Sequence, residues 1–177
     1  MIFTETKLSG AYVIEIEKIE DERGFFARTF DKNEFSKIGL DSEFIQSSIS
    51  INNKRGTIRG MHYQNKPYEE SKIVRCTKGK IFDVIIDLRP NSKTFKEWFS
   101  VELSEENHKM LYVPKGFAHG FQTLENNTKI LYNISQFYHP ESSKGVRWND
   151  EIFRIKWPLK VSLISEKDLN YTSFSNQ

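Results

Sequence analysis

Lys78-Gly79-Lys80-Ile81-Phe82-Asp83-Val84-Ile85-Ile86-Asp87-Leu88 is the stretch on which the fold reading turns. Lys-Gly-Lys is a polar tight turn, with a glycine free to take positive φ. Ile81 to Leu88 follows as a strongly apolar strand rich in β-branched residues. With Ser71 to Cys76 as the preceding strand, the segment reads as a hairpin. Working outward toward the N-terminus, Lys32 to Gly39 has helical spacing and ends on glycine, which predicts one short helix. Phe25 to Phe30 reads as a strand entered from the turn Asp21-Glu22-Arg23-Gly24, and Ala11 to Glu17 alternates as a half-buried strand does. Toward the C-terminus, Phe95 to Leu103, Lys109 to Val113, Gly120 to Leu124 and Lys129 to Phe137 follow at short intervals. Pro114-Lys115-Gly116 and Glu125-Asn126-Asn127 punctuate them. The last third, including Trp148-Asn149-Asp150, Trp157-Pro158 and Ser165-Glu166-Lys167-Asp168, is less regular.

Many short strands with regular turns predict an all-β sandwich or barrel, and the jelly roll is the common closed form that also encloses a ligand cavity. The 177 residues suit one domain with a full core, and no repeat or Pro/Gly/Ser linker divides them. We therefore expect a single domain over 1–177.

The 26 basic and 24 acidic residues leave a net charge of +2, which gives no general pull toward nucleic acid or an anionic membrane. The single cysteine, Cys76, excludes an internal disulfide and fits a reducing compartment. No apolar run is long enough to span a bilayer, and Met1 to Lys7 lacks the pattern of a secretory signal. A cytoplasmic location is expected.

Four histidines are the natural starting point for chemistry: His62, His108, His119 and His139. His62 lies in Ile58-Arg59-Gly60-Met61-His62-Tyr63-Gln64, where Gly60 permits close backbone approach. His119 lies in Gly116-Phe117-Ala118-His119-Gly120-Phe121. A lone histidine in a β-protein is more often a hydrogen-bonded structural residue than a catalyst. His108 reads as solvated, and His139 as a loop residue without a role. Metal-binding barrels of this kind pair histidines one residue apart, whereas His62 is followed by Tyr63 and Gln64. His62, His119 and one carboxylate are a geometrically possible set, but no metal is expected. No Gly-x-Ser-x-Gly elbow supports a hydrolase.

Proton abstraction asks for less: a base, a group that orients it, an electrophile for the enolate and an acid on the other face. His62 suits the base, with Asp83, Asp87 or Asp168 as its orienting carboxylate. Lys72 suits the enolate, or else is a solvated strand-edge charge. Tyr132 suits the acid, or else is a core aromatic. Arg23, Arg28, Arg59 and Arg75 offer forks for a diphosphate, each with a plain surface alternative. Phe25 and Phe26 either stack on a base or fill the core.

Taken together, these motifs resemble the dTDP-4-dehydrorhamnose 3,5-epimerases, small cupins. The likeness runs from Asp21-Glu22-Arg23-Gly24-Phe25-Phe26 through Arg59–Gln64, Lys72–Arg75, Phe82–Arg89, Pro114–Phe121 and Trp148-Asn149-Asp150 to Ser165–Asp168. It implies a cupin jelly roll with a few short helices, working as a homodimer in which a strand crosses to the partner, and needing neither metal nor cofactor. It implies a nucleotide-diphosphate sugar as substrate. It implies that His62 with Asp168 is the base, Lys72 stabilises the enolate and Tyr132 is the acid. Arg23 and Arg59 would hold the diphosphate, Phe26 would lie near the nucleobase across the dimer, and Gln46 and His119 would line the pocket. Arg28, Ser48 and Tyr138 join the expected substrate-binding set. Arg28 stands where the family commonly has an acidic residue, and Ser48 where it has asparagine. Both positions face the nucleotide, which keeps a CDP-linked sugar open beside the dTDP-linked one. Epimerisation at a single carbon, a 3,4-ketoisomerase and a binding module without turnover are the competing readings.

Overall fold

The computed structural model describes residues 1–174, so positions 175–177 of the expected domain lie outside the described residues. In chain order the elements are β1 (Ile2–Glu5), β2 (Tyr12–Glu15), β3 (Lys18–Asp21), β4 (Gly24–Ala27), α1 (Lys32–Lys37), β5 (Gln46–Asn52), β6 (Ile58–Gln64), β7 (Lys72–Lys78) and β8 (Lys80–Asp87). There follow β9 (Trp98–Ser104), β10 (Met110–Val113), β11 (Phe117–Thr123), β12 (Thr128–Ile134), β13 (Ser143–Gly145) and α2 (Glu166–Leu169). A six-stranded sheet in the order β1-β2-β10-β7-β12-β5 faces a five-stranded sheet in the order β13-β6-β11-β8-β9, and β3 with β4 forms a separate hairpin. Among the described residues the paired strands are all antiparallel, with one isolated parallel bridge between Thr57 and Leu163, and from β5 onward the chain passes repeatedly from one sheet to the other. That is the jelly roll expected of a cupin.

The predicted hairpin at Lys78-Gly79-Lys80 is a corner instead. β7 pairs with β10 and β12, while β8 pairs with β11 and β9, so the two consecutive strands lie in different sheets. Gly79 does take φ +71°, and a Cβ there would sit 2.8 Å from the Thr128 hydroxyl. The local turn chemistry was legible; the choice of strand partners is set by burial along the whole chain.

The unbroken apolar character of β8 has the same origin. Ile81 and Ile85 pack between the sheets with Val74, Leu103, Phe117, Phe121 and Ile130. Val84 and Ile86 pack on the outer face with Met61, Ala118, Val146 and Phe153 from the C-terminal segment. A strand covered on both faces loses the polar half of its alternation. The predicted helix forms over Lys32–Lys37. Asp31 caps it, accepting from the backbone N–H of Asn33 and Glu34 at 2.9 and 3.2 Å. Phe35, fully buried against Ile14, Ile73, Met110 and Tyr112, anchors it and contributes about 1.5–3 kcal/mol. Among the described residues no helix is long and apolar enough to cross a membrane.

Candidate functional site

The inner faces of the two sheets are filled by apolar side chains at one end and lined by polar ones at the other. The polar end is a cavity of about 410 Å³. One wall is β6 and β11, which supply Arg59, His62, His119 and Phe121. The facing wall is β5, β7 and β12, which supply Gln46, Ser48, Lys72 and Tyr132. Period-two alternation turns Phe117, His119 and Phe121 of β11 to the same inner face, where Phe117 and Phe121 join the core and His119 and Phe121 line the cavity, while Ala118 packs on the outer face.

His62 and His119 are direct cross-strand neighbours on β6 and β11, and each has its own carboxylate. His62 Nε2 lies 2.6 Å from Asp168 Oδ1, with the His62 side chain 40% exposed and that of Asp168 only 4%. His119 Nε2 lies 2.8 Å from Asp83 Oδ1, with side-chain exposures of 5% and 0%. Of the three carboxylates the sequence left open for His62, Asp168 takes the place. Asp83 serves His119, and Asp87 is bound instead by Arg89, Ser92 and Thr94.

Asp168 arrives on α2, a single helical turn in the stretch that reads as irregular. Ser165 caps it, accepting the Asp168 N–H at 3.1 Å. Ser165-Glu166-Lys167-Asp168 has the Ser-x-x-acid form of a helix start, and that signal could have located the turn. The Gly60 N–H donates to Asp168 Oδ2 at 3.2 Å. A Cβ at Gly60 would lie 2.5 Å from the Gly120 backbone, so close approach is what this glycine provides. Burial pushes the Asp168 carboxyl up, but the hydrogen bond and charge of His62, the Gly60 amide and Ser165 outweigh it and hold the group below its ordinary value. Asp83 goes the other way. Complete burial raises it, only partly opposed by His119 and Lys72, and its Oδ2 has no partner.

Lys72 is not a solvated edge charge: it is 8% exposed, and its Nζ lies 2.8 Å from Glu70 on the cavity wall. Tyr132 projects from β12 toward His119, ring centroids 6.1 Å apart. Burial is the main cause that raises its phenol, with the Asp83 charge adding to it and Arg59 and a Ser50 hydrogen bond opposing. Tyr138, 58% exposed, stands at the cavity mouth.

Three expected residues do not join this cavity within one chain. Arg23 sits at the tip of the β3–β4 hairpin, 89% exposed and paired with Asp21 at 2.5 Å. Phe26 is 66% exposed on β4, and Arg28 lies 3.7 Å from Asp31 at the start of α1. The cavity also has lining that residue-by-residue reading missed: Ser50, Tyr63, Glu70, Ile134, Ser143 and the exposed cation Lys167. Their placement depends on which strands meet, which no local signal carries. His108 is less solvated than expected, since Phe25 packs edge-on to it at 5.0 Å. His139 stacks on Tyr68 at 3.5 Å, with its backbone N–H bound by Gln64. Among the described residues no three or more His, Cys, Asp or Glu side chains gather as a metal site.

Comparison with known proteins gives a consistent picture. A family model described as dTDP-4-dehydrorhamnose 3,5-epimerase matches residues 5–176. A protein of that name from Methanothermobacter thermautotrophicus is 44% identical over 173 residues, covering 96% of this chain and 92% of its own. The crystal structure of a dTDP-4-dehydrorhamnose 3,5-epimerase from Elizabethkingia anophelis superposes with a TM-score of 0.97 at 38% identity, covering 100% and 98% of the two chains. One from Bacillus anthracis, with TDP and PPi bound, gives 0.94 at 38% identity over 98% and 99%.

Proposed function

The chain belongs to the dTDP-4-dehydrorhamnose 3,5-epimerase family, and from that premise we propose that its cavity inverts C3 and C5 of dTDP-4-dehydro-6-deoxyglucose to give dTDP-4-dehydrorhamnose. The observation that carries this reading is the placement of a carboxylate-oriented histidine and a buried phenol on facing sheets of one cavity, with an ammonium on the same wall as the phenol. Inversion needs proton removal and proton delivery on opposite faces of one carbon, and two facing walls supply that.

The C4 ketone acidifies the protons on C3 and C5. With Nε2–H donating to Asp168, the His62 lone pair is on Nδ1, which takes the proton. The electron pair moves to the C4 oxygen, and the Lys72 ammonium stabilises the enolate. Preorganised charge of this kind is the largest contribution to such reactions. Tyr132 gives its proton to the other face of the carbon. A phenol raised by burial stays protonated before turnover; after it, solvent returns a proton to Tyr132 and takes one from His62. A ring flip then presents the second carbon to the same pair. Arg59, held by Asn52 at 2.7 Å, and Lys167 supply cations toward the diphosphate. Neither a metal nor another cofactor takes part.

The protein works as a homodimer, one domain per chain. Arg23 and Phe26 project on an exposed hairpin away from their own cavity and reach that of the partner, Phe26 toward the base. In support, the hairpin exposes Ile19 and Phe26, and the edge strand β5 exposes Ile49 and Ile51. Mixing the variants Arg23→Ala and His62→Ala, each inactive alone, then restores one intact site per mixed dimer; no recovery would refute the shared site. The buried Cys76, its thiol pushed up to about 12 chiefly by burial, suits the cytoplasm, where fractionation should find the protein.

Nothing favours the CDP-linked, single-carbon or ketoisomerase alternatives over this reading. The deciding experiment offers dTDP- and CDP-4-dehydro-6-deoxyglucose in D2O. Deuterium at both C3 and C5 of the dTDP sugar, with inverted product, is expected. Exchange at one carbon only, or preference for the CDP sugar, would overturn it.

A further inference from the structure

One group of cavity residues plays no part in the proton transfers above. Glu70 lines the cavity, and its Oε1 lies 2.8 Å from Lys72 Nζ, with side chains 12% and 10% exposed. Its other oxygen, Oε2, accepts from Gln64 Nε2 at 3.0 Å. Gln64 is 3% exposed and is fixed to backbone on both sides of Tyr138. Its amide donates to the Phe137 carbonyl at 3.1 Å and to the Tyr68 carbonyl at 2.9 Å, while its oxygen accepts the His139 N–H at 2.6 Å. The chain of contacts therefore runs from fixed backbone through Gln64 and Glu70 to the ammonium.

A lysine has a flexible four-carbon stem and a compact charge, so by itself it is a poorly aimed donor. Taking an ammonium out of water is costly without a partner, and removing the partner leaves an uncompensated charge. Glu70 meets both needs, because its own position is set by Gln64. The carboxylate offsets part of the field that Lys72 exerts on an enolate. In exchange the ammonium is oriented before the enolate forms, which is what preorganisation requires.

We propose that Glu70 is a positioning residue for the epimerisation: held by Gln64, its carboxylate holds the Lys72 ammonium aimed at the enolate oxygen. This rests on Lys72 being the group that stabilises the enolate. A purely structural ion pair would contribute to melting temperature and leave turnover alone.

The test is a double-mutant cycle on the full-length enzyme with dTDP-4-dehydro-6-deoxyglucose, read by deuterium incorporation so that slow variants remain measurable. Glu70→Gln keeps the shape and a hydrogen-bonding oxygen for Gln64 while removing the charge. It should lower kcat roughly tenfold with KM within about twofold, whatever the unpaired ammonium does to the melting temperature. Lys72→Met keeps the packing of the stem and should lose more. In the Lys72→Met background, adding Glu70→Gln should change kcat by less than about twofold, because both substitutions break one unit. Wild-type kcat in Glu70→Gln, with or without a fall in melting temperature, overturns the proposal and leaves the Lys72 assignment standing. Equal losses from Glu70→Gln in both backgrounds overturn it too. Wild-type kcat in Lys72→Met removes Lys72 from the enolate, and the role of Glu70 falls with it.

Discussion

Two histidine–carboxylate pairs stand side by side on β6 and β11, and they differ in almost everything but composition. In one, His62 meets the cavity with 40% of its side chain exposed, and Asp168 comes from a capped helical turn late in the chain. In the other, His119 and Asp83 both come from neighbouring sheet strands and are sealed, at 5% and 0%. The first carboxyl is held below its ordinary value by a histidine, a backbone amide and a serine. The second is pushed above it by burial, with one oxygen unpartnered. The same two residue types thus leave one histidine open to the cavity and seal the other into its wall. Access and the supply of donors, rather than the presence of a pair, are what the proposed function uses to choose His62 as the base.

The largest break in that comparison is His62→Ala. Solvent deuterium uptake into the 4-keto sugar should fall by about 100- to 10,000-fold, the range of general acid–base catalysis. Uptake at the wild-type rate would move the base elsewhere, with His119 the first place to look. Next in size is Tyr132→Phe, in which proton removal continues but inverted product drops by roughly a hundredfold or more. Full epimerisation in that variant would take Tyr132 out of the acid role.

Asp168→Asn and Asp83→Asn set the two pairs against each other directly. The first should cut kcat by about a hundredfold, since His62 loses the group that fixes its tautomer. The second should cost less than about tenfold, because His119 shapes the wall without moving a proton. Equal losses would mean that both pairs act.

The smallest effect is on stability, and here the pairs differ in sign. Asp168 has a lowered folded-state value, so its contribution is present above the ordinary 3.8 and is lost as pH falls below it. Asp83 has a raised value, so its neutral form is the favoured one and its contribution is lost as pH rises from 3.8 through the folded value. Acid-unfolding curves should therefore flatten below pH 4 for Asp168→Asn. For Asp83→Asn they should show stability gained toward neutral pH. Parallel curves for the two variants would show that the opposed environments do not govern stability.

The elements that frame this contrast were readable in advance, though the His119–Asp83 pair was not. Helical spacing and turn chemistry located the short helix and the strands from β7 to β12 to within a few residues, while the Asp31 cap emerged only from the structure. The family resemblance brought His62, Lys72, Tyr132 and Asp168 into one set before their distances were known. What residue patterns misjudged was pairing. Lys78-Gly79-Lys80 has every local mark of a hairpin, yet it joins two sheets. β5 and β6, which carry Gln46, Ser48, Arg59 and His62, lack the clean alternation that would announce them, because the cavity replaces apolar inward residues with polar ones.

By itself the sequence determined the class of fold, the short helix and the local turns, because strand alternation, helical spacing and turn residues are written in residues near one another in the chain; the proposed reacting set came from the family resemblance. Only the tertiary structure decided which carboxylate meets which histidine. It also decided that Lys72 is buried against Glu70, and that Arg23, Phe26 and Arg28 stand clear of the cavity of their own chain. Those outcomes depend on which strands become neighbours, and that choice is made by burying the whole apolar pattern at once, with partners more than 100 residues apart for His62 and Asp168.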